Sequence, residues 1–332
     1  MSNRFKRAIA ACATRAACAT LAIGLGVIGA AHAQGAWPTR PVRIVVGFAP
    51  GGSTDVMARI LAQQLTESLG QPVLIDNKPG ASGNIAAAEV IRAAPDGQTF
   101  LIAPTSVETA NPSLFKSSIL PSRDLTPVGT IGRTQMYLVS KPQLAARDAR
   151  GLVALAKAQP GKMSYASAGT GTPPHLACEM FKVASGTYIT HIPYRGAAPA
   201  LQDVMSGQAD FVCDPGIAFP HIRAGKVKLL GIVSARRSPF FPEVPTVGEL
   251  GFKDADLDIW FGLWAPNGTA PEIVARLNRE LGKAMAQAAV KSRYADLGAE
   301  TAAMSPAEFK ALLADESQRL STLIREQKIV VE

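Results

Sequence analysis

The feature that most constrains this chain is a β-branched run that ends in a glycine-rich turn and restarts at once as a helix. Residues 42–48 read as a buried strand, and Ala49-Pro50-Gly51-Gly52-Ser53 breaks it. From residue 54 to 69, Val56, Ile60, Leu61, Leu65 and Leu69 fall on one face at helical spacing. The unit then repeats. Residues 73–75 form a second strand, 77–84 a polar glycine-rich loop, 85–93 an alanine-rich helix and 99–103 a third strand. Repeated βα units predict mainly parallel sheets with helices on both faces, an α/β architecture.

A second set begins at residues 136–139. Residues 148–158 read as a helix stopped by Gln159-Pro160-Gly161, and 163–166 as a strand. Ser167-Ala168-Gly169-Thr170-Gly171-Thr172-Pro173-Pro174 follows and opens a helix through residue 184. Strands are expected at 188–192, 211–213 and 227–233, with helices at 197–205 and 219–224 between them. A Trp-bearing strand spans 258–265. Thr269 with Glu272, and Ser305 with Glu308, have the spacing of capping boxes, each with proline in the first turn. Those two C-terminal helices need a sheet to cover, and the first one is the candidate. The expected organisation is a first lobe of residues 34–136 plus 246–332 and a second of 137–245. The chain would cross between them twice, and such a connection can hinge.

The N-terminus reads as a transport address. Arg4, Lys6, Arg7 and Arg15 precede an apolar stretch over 16–30, and Ala31-His32-Ala33 offers a small-x-small cleavage site, so residues 1–33 are expected to be removed. The stretch is short for a membrane span of ~20 apolar residues. The mature chain keeps 30 Lys and Arg against 26 Asp and Glu, so the formal charge of +8 falls to +4. That balance suits an anionic ligand and is too dispersed for nucleic acid. At 299 residues after cleavage, two lobes are the natural expectation. Cys178 and Cys213 remain in an oxidising compartment, where a disulfide and two buried thiols are both open readings. No CxxC or histidine cluster points to a metal, and no cofactor is implied.

Two loops could carry the chemistry. Phe48 with Gly51, Gly52, Ser53 and Thr54 joins a strand's carboxyl end to a helix start, the edge where α/β sheets hold ligands. Glycines admit close approach, and backbone amides at a helix N-terminus favour an anion. An ordinary βα turn fits the same residues. Ala168, Gly169, Thr170, Gly171 and Thr172 repeat the construction in the second lobe. This loop lacks the third glycine of a dinucleotide fingerprint, and the chain has neither a P-loop nor a G-x-S-x-G elbow. Arg195 could bring a guanidinium to the cleft or be a surface cation. Asp214, at a strand's carboxyl end, could select a hydroxyl or cationic group or cap a helix. His175 is expected to pack or cap. Asp55 is expected to stabilise a first turn, and Trp260 and Trp264 to lie in the core or between the lobes.

Several segments together resemble the substrate-receptor family of tripartite tricarboxylate transporters, the Bug receptors. They are Trp37-Pro38 with Pro41-Val42-Arg43-Ile44-Val45-Val46, the loop 48–55 with Ala58-Arg59, and Asn77-Lys78-Pro79-Gly80-Ala81. Asn111-Pro112-Ser113-Leu114, the loop 167–172 with His175-Leu176-Ala177, Pro193-Tyr194-Arg195-Gly196 and Trp264-Ala265-Pro266-Asn267-Gly268-Thr269 follow in order. The resemblance implies a two-lobed, venus-flytrap periplasmic binding protein of type II-like build. Such a protein closes on a small carboxylate and presents it to an integral-membrane permease. It implies ligand contacts from residues 48–54 and 168–172, with contributions from Thr105 and Ser106 after the third strand. Cys178 and Cys213 depart from the family's pattern. A monomer is expected. The competing readings are an exported hydrolase, using a serine with His175 or His191, and a receptor that feeds a sensor kinase.

Overall fold

In the computed structural model, residues 37–116 and 119–330 are described; the expected leader and its cleavage site lie outside them. Eleven strands are present among these residues: β1 (Val42–Val46), β2 (Val73–Asn77), β3 (Thr99–Pro104), β4 (Leu125–Thr134), β5 (Tyr137–Ser140), β6 (Ser164–Ser167), β7 (Thr190–Pro193), β8 (Phe211–Asp214), β9 (Lys228–Ile232), β10 (Ile259–Pro266) and β11 (Ala299–Glu300). They form a six-stranded sheet ordered β11-β4-β10-β3-β1-β2 and a five-stranded sheet ordered β7-β6-β8-β5-β9. The strands of the first sheet flank those of the second in sequence. The chain therefore passes between sheets twice, at residues 135–136 and again between β9 and β10.

Each sheet is mixed. β1 runs parallel to β2 and β3, and β6 runs parallel to β7 and β8. β10 is antiparallel to β3 and β4, β11 to β4, and β5 to β8 and β9. The expected parallel pairing thus holds in the half of each sheet built from βα units. Elsewhere β4 runs straight into β5, and β10 returns from the other sheet. A parallel neighbour needs a helical crossover, and these strands do not arrive by one.

Apolar faces decide which helices cover which sheet. Val45, Leu101 and Trp264 of the first sheet share a core with Ala86, Ala87 and Val90 of helix Asn84–Ile91 and with Phe309 and Leu313 of helix Pro306–Glu326. The C-terminal helix does cover the first sheet. Trp264 is fully buried, and its indole N–H donates to Glu108 Oε2 at 3.1 Å. Burial pushes that carboxyl up to about 7, even against the indole's hydrogen bond. In the second sheet Val139, Ala166 and Val212 pack with Ala200, Leu201 and Val204 of helix Ala197–Ser206, and Tyr137 meets Phe219 edge-on at 4.8 Å. Thr246 bridges in parallel to Ile232, and the Phe252 ring meets Phe181.

The two C-terminal helices begin differently. Glu308 N–H donates to Ser305 Oγ at 3.2 Å and Ser305 N–H to Glu308 Oε2 at 2.8 Å, a complete capping box. The matching motif at Thr269 does not form. Helix Pro271–Ala286 is preceded by Ala270, and Thr269 Oγ1 donates back to Pro266 O at 2.8 Å, which spends the hydroxyl on the turn before the helix.

Cys178 and Cys213 are joined by a disulfide, with Cα atoms 5.7 Å apart. It ties helix Pro173–Ser185 to β8, the two elements whose ends carry residues 167–172 and Asp214. Labelling of denatured, unreduced mature protein should therefore find no free thiol. The bridge closes a span of 35 residues, so the Cys178→Ser, Cys213→Ser double variant should lose about 3–4 kcal/mol of unfolding free energy in urea titration.

Candidate functional site

β1, β6 and β8 end on the same side of the molecule, and the loops that follow them meet. Ser53 Oγ donates to Pro215 O at 3.0 Å, joining the loop after β1 to the loop after β8. Ser82 Oγ donates to Gly171 O at 2.9 Å, joining the 77–84 loop to the loop after β6. Between them lie two chambers. The inner one is narrow, with a cavity volume of about 30 Å³; it is lined by Phe48, Gly52, Ser53, Thr54 and Ala168, and by Pro104, Pro173, Pro174, Pro215, Ile259 and Phe261. The outer one, of about 530 Å³, is open to solvent and bordered by Gly80, Ser82, Phe115, Gly169, Thr170, Thr172, Tyr194 and Arg195. Phe48, Ala49, Ala168 and Gly196 line both, so the chambers adjoin.

Which backbone groups face this space follows from which are already used. In the first loop Gly51 N–H donates to Asp55 Oδ2 at 3.0 Å, and Gly52 N–H lies 3.5 Å from Ala49 O. Asn77 Nδ2 donates to Phe48 O and to Asp55 Oδ1. Burial pushes the Asp55 carboxyl up, but hydrogen bonds from Arg59, the Gly51 amide and Asn77 outweigh it and hold it below its ordinary range. Asp55 therefore braces the turn and does not face a ligand. Ser53 and Thr54 open helix Ser53–Leu69, where first-turn amides have no intrahelical acceptor.

The second loop spends its glycine amides too. Gly169 N–H donates to Ser167 Oγ at 3.1 Å, Gly171 N–H to His175 Nδ1 at 3.2 Å and Thr172 N–H to Gly169 O at 3.2 Å. Among the described residues the amides of Ala168 and Thr170 have no such partner. Gly169 and Gly171 have φ of 125° and 76°, which a side chain resists. A Cβ at Gly171 would also lie 2.5 Å from the Phe115 ring, which comes from the other sheet's side of the cleft.

The remaining expected residues separate. Arg195 is exposed and is the one charged side chain among those lining the two chambers. Gly51 and Gly171 line neither chamber; they shape the loops that do. Thr105 and Ser106 are buried in a smaller cavity with Thr109, Asp258 and Glu316, which shares Pro173 and Ile259 with the inner chamber; there Thr105 Oγ1 donates to Glu316 Oε2 at 2.8 Å. Burial pushes Glu316 up to about 7. Of the third strand's end, it is Pro104 that reaches the inner chamber. Asp214 is 1% exposed and accepts from Gly216 N–H at 2.7 Å and Ala218 N–H at 2.9 Å. Burial pushes its carboxyl up to about 7, against those two amides. It caps the turn that carries Pro215 and is not presented to a ligand. Sequence reasoning missed Ser82, Phe115, Ile259 and Phe261 as lining residues. Ser82 lies in a loop that the glycines marked, whereas Phe115 carries no local signal.

A serine–histidine pair does occur, since Ser167 Oγ lies 2.7 Å from His191 Nε2. Ser167 is fully buried and its oxygen also accepts from Gly169 N–H, so it faces the loop's interior and not the cleft. No group of three or more His, Cys, Asp or Glu among the described residues is placed to hold a metal.

If Asp214 braces the turn, Asp214→Ala leaves two buried amides unpaired and should cost about 2–3 kcal/mol in urea unfolding, with Asp214→Asn costing less. A direct ligand contact would instead show full stability and lost binding.

The chain's relatives agree with this architecture. Residues 57–329 match the model of the tripartite tricarboxylate transporter family receptor. Protein BugT of Bordetella pertussis is 39% identical over 298 residues, covering 87% of this chain and 90% of that relative. Among solved structures, an R. palustris protein with adipate superposes with a TM-score of 0.85 at 33% identity, covering 89% of this chain and 99% of that one. MatC from Rhodopseudomonas palustris with bound malate superposes at 0.82 and 34% identity, covering 87% and 100%. With a two-lobed binding-protein fold and a family match over most of its length, the chain belongs to the tripartite tricarboxylate transporter receptor family, whose members are solute-binding receptors and not enzymes.

Proposed function

We propose that this protein is a periplasmic receptor that captures a small carboxylate-bearing molecule between its lobes and presents it to a membrane permease. The observation that carries the reading is the meeting of loops from two different sheets over one cleft, with the amides of Ser53, Thr54, Ala168 and Thr170 left over for a ligand. A carboxylate satisfies such amides. Each charge-assisted bond contributes ~1.5–3 kcal/mol, and a helix N-terminus adds ~0.3–1 kcal/mol. After the entropy lost on association, a handful of these reaches micromolar affinity, about −8 kcal/mol. Phe48, Gly52, Ser53, Thr54, Ala168, Gly169, Thr170 and Thr172 are the proposed ligand shell, with Arg195 at the rim to meet a second acidic group. Relatives solved with adipate and malate support the carboxylate class.

The two chain crossings act as the hinge. Gln135 Nε2, in the first, donates to Arg236 O at 2.7 Å and to Ser234 Oγ at 3.1 Å in the second, so the strands bend as a pair. The second lobe runs from residue 137 to about 252, which keeps Thr246 with the strand it bridges and Phe252 with helix Pro173–Ser185, whose Phe181 it meets. The basic, apolar start of the sequence serves export, and membership of a transporter receptor family supports a permease as partner. Among the described residues no helix is long and apolar enough to cross a membrane.

Thermal unfolding of the mature protein against mono-, di- and tricarboxylates, aromatic acids and amino acids tests the reading. One carboxylate class should raise the midpoint saturably. No shift in any class, with no acid recovered by mass spectrometry from the denatured protein, would overturn it. An added Cβ at Gly52 meets only Ala49 O, at 3.6 Å, so Gly52→Asp should fold. By placing an anion at the helix start it should weaken binding by at least about tenfold, as calorimetry would read.

A further inference from the structure

We propose that His175 and His191 are positioning residues for the second lobe's ligand loop: two uncharged imidazoles, packed ring against ring beneath residues 167–172, fix the direction of that loop's free amides. The inference rests on the proposed receptor site and names what holds half of it in shape.

The loop has no ladder of its own. Gly169 and Gly171 both lie at positive φ; Thr172 and Ser167 bond the Gly169 carbonyl, Ser82 bonds the Gly171 carbonyl, and each glycine amide is held by one side-chain acceptor. Gly171 N–H donates to His175 Nδ1 at 3.2 Å, which requires that nitrogen to be unprotonated and so places the ring's proton on Nε2. Gly169 N–H donates to Ser167 Oγ, and that oxygen is set by His191 Nε2 at 2.7 Å. The two imidazole centroids are 4.3 Å apart, and Tyr165 stacks on His191 at 4.8 Å. One glycine amide thus turns inward onto each histidine's bond, and the residues between and beside them, Ala168 and Thr170, are left to face the cleft.

The surroundings favour the neutral pair. The charged groups facing it are Glu179 and Lys182, both on the helix of His175; β6 offers only the Tyr165 phenol, and β7 only His191 itself. Glu179 Oε1 already accepts from Tyr165 Oη and from Lys182 Nζ, so neither imidazole has a carboxylate of its own. Burial pushes His191 down to about 4, with the neighbouring His175 adding to it. Burial likewise lowers His175, against a partial pull from Glu179. The sign follows. Both groups lie below the ordinary 6.5 when the loop is formed, so an opened loop binds protons more readily. The formed loop is favoured fully above about 6.5 and loses ground as pH falls from there toward 4.

Amide hydrogen exchange of the folded mature protein between pH 7.5 and 4, corrected for intrinsic rates, tests this in wild type, His175→Asn and His175→Leu. Asn offers an acceptor close to the Nδ1 position and does not titrate. In wild type the protection of Gly171 should fall by about tenfold or more across the window. His175→Asn should keep it and flatten the profile, and His175→Leu should lose it at every pH. Ser167→Ala, a smaller change, should expose Gly169 and leave Gly171 protected. Retained Gly171 protection in His175→Leu, or a flat wild-type profile, overturns the proposal. Adipate and malate affinities are measured on the same samples. Falling affinity in step with lost protection supports it. If neither these probes nor any acid of the thermal-unfolding panel binds any form, and none is recovered from the denatured protein, while the loop responds as expected, the receptor reading fails and the positioning role stands.

Discussion

Two hydroxyl-to-carbonyl bonds hold the cleft together: Ser53 to Pro215 and Ser82 to Gly171. Each reaches from a loop of the first sheet to a loop of the second. A neutral bond of this kind contributes ~0.5–1.5 kcal/mol net, so the pair adds only a small margin to the other contacts between the two halves, among them Tyr137 Oη donating to Gly298 O at 3.3 Å and the Arg223–Asp296 ion pair. A molecule that touches both loops exceeds that margin easily, and one that touches a single loop leaves it unchanged. The proposed closure on a ligand therefore depends on loops shaped in advance, so that their amides and hydroxyls arrive already aimed.

That shaping is done by groups that never face the cleft. Asp55 and Asn77 hold the first loop, Asp214 holds the turn carrying Pro215, and Ser167 with the two histidines holds the second. Each takes a backbone amide or carbonyl that would otherwise be left unpaired in a partly dry space, where an orphan costs ~1–3 kcal/mol. The disulfide adds a covalent tie between the helix that follows one ligand loop and the strand that precedes another. The inner chamber is lined by uncharged residues, and the outer one carries charge only at Arg195. Selectivity in such a site comes from the direction of amides and the shape of apolar walls, not from a cluster of cations.

Much of this was legible in the sequence, and the gaps have physical causes. The βα units gave β1, β3, β6 and β8 and both glycine-rich loops, because periodicity and turn chemistry are local. β4 escaped because Pro127, Gly129 and Gly132 interrupt its pattern; the bulged register against β10 absorbs them. The antiparallel halves escaped because strand direction there depends on how the chain returns from the other sheet. Thr105 and Ser106 sit at the expected strand end, yet both line an adjoining cavity and Thr105 Oγ1 turns to Glu316, a choice made by packing 211 residues away in sequence. Phe115 borders the outer chamber beside Gly171 of a loop of the opposite sheet, which no local motif encodes. The cysteine pairing needed the Cα separation, which only the fold supplies.

The central claim is that one molecule is gripped by loops of both sheets at once. A crystal structure of the mature protein with its carboxylate bound tests it most directly. The expected result is a carboxylate in the cleft where the two chambers adjoin, within hydrogen-bond distance of the Ser53 or Thr54 amide and of the Ala168 or Thr170 amide. A ligand held by one loop alone, or bound away from this cleft, would contradict it.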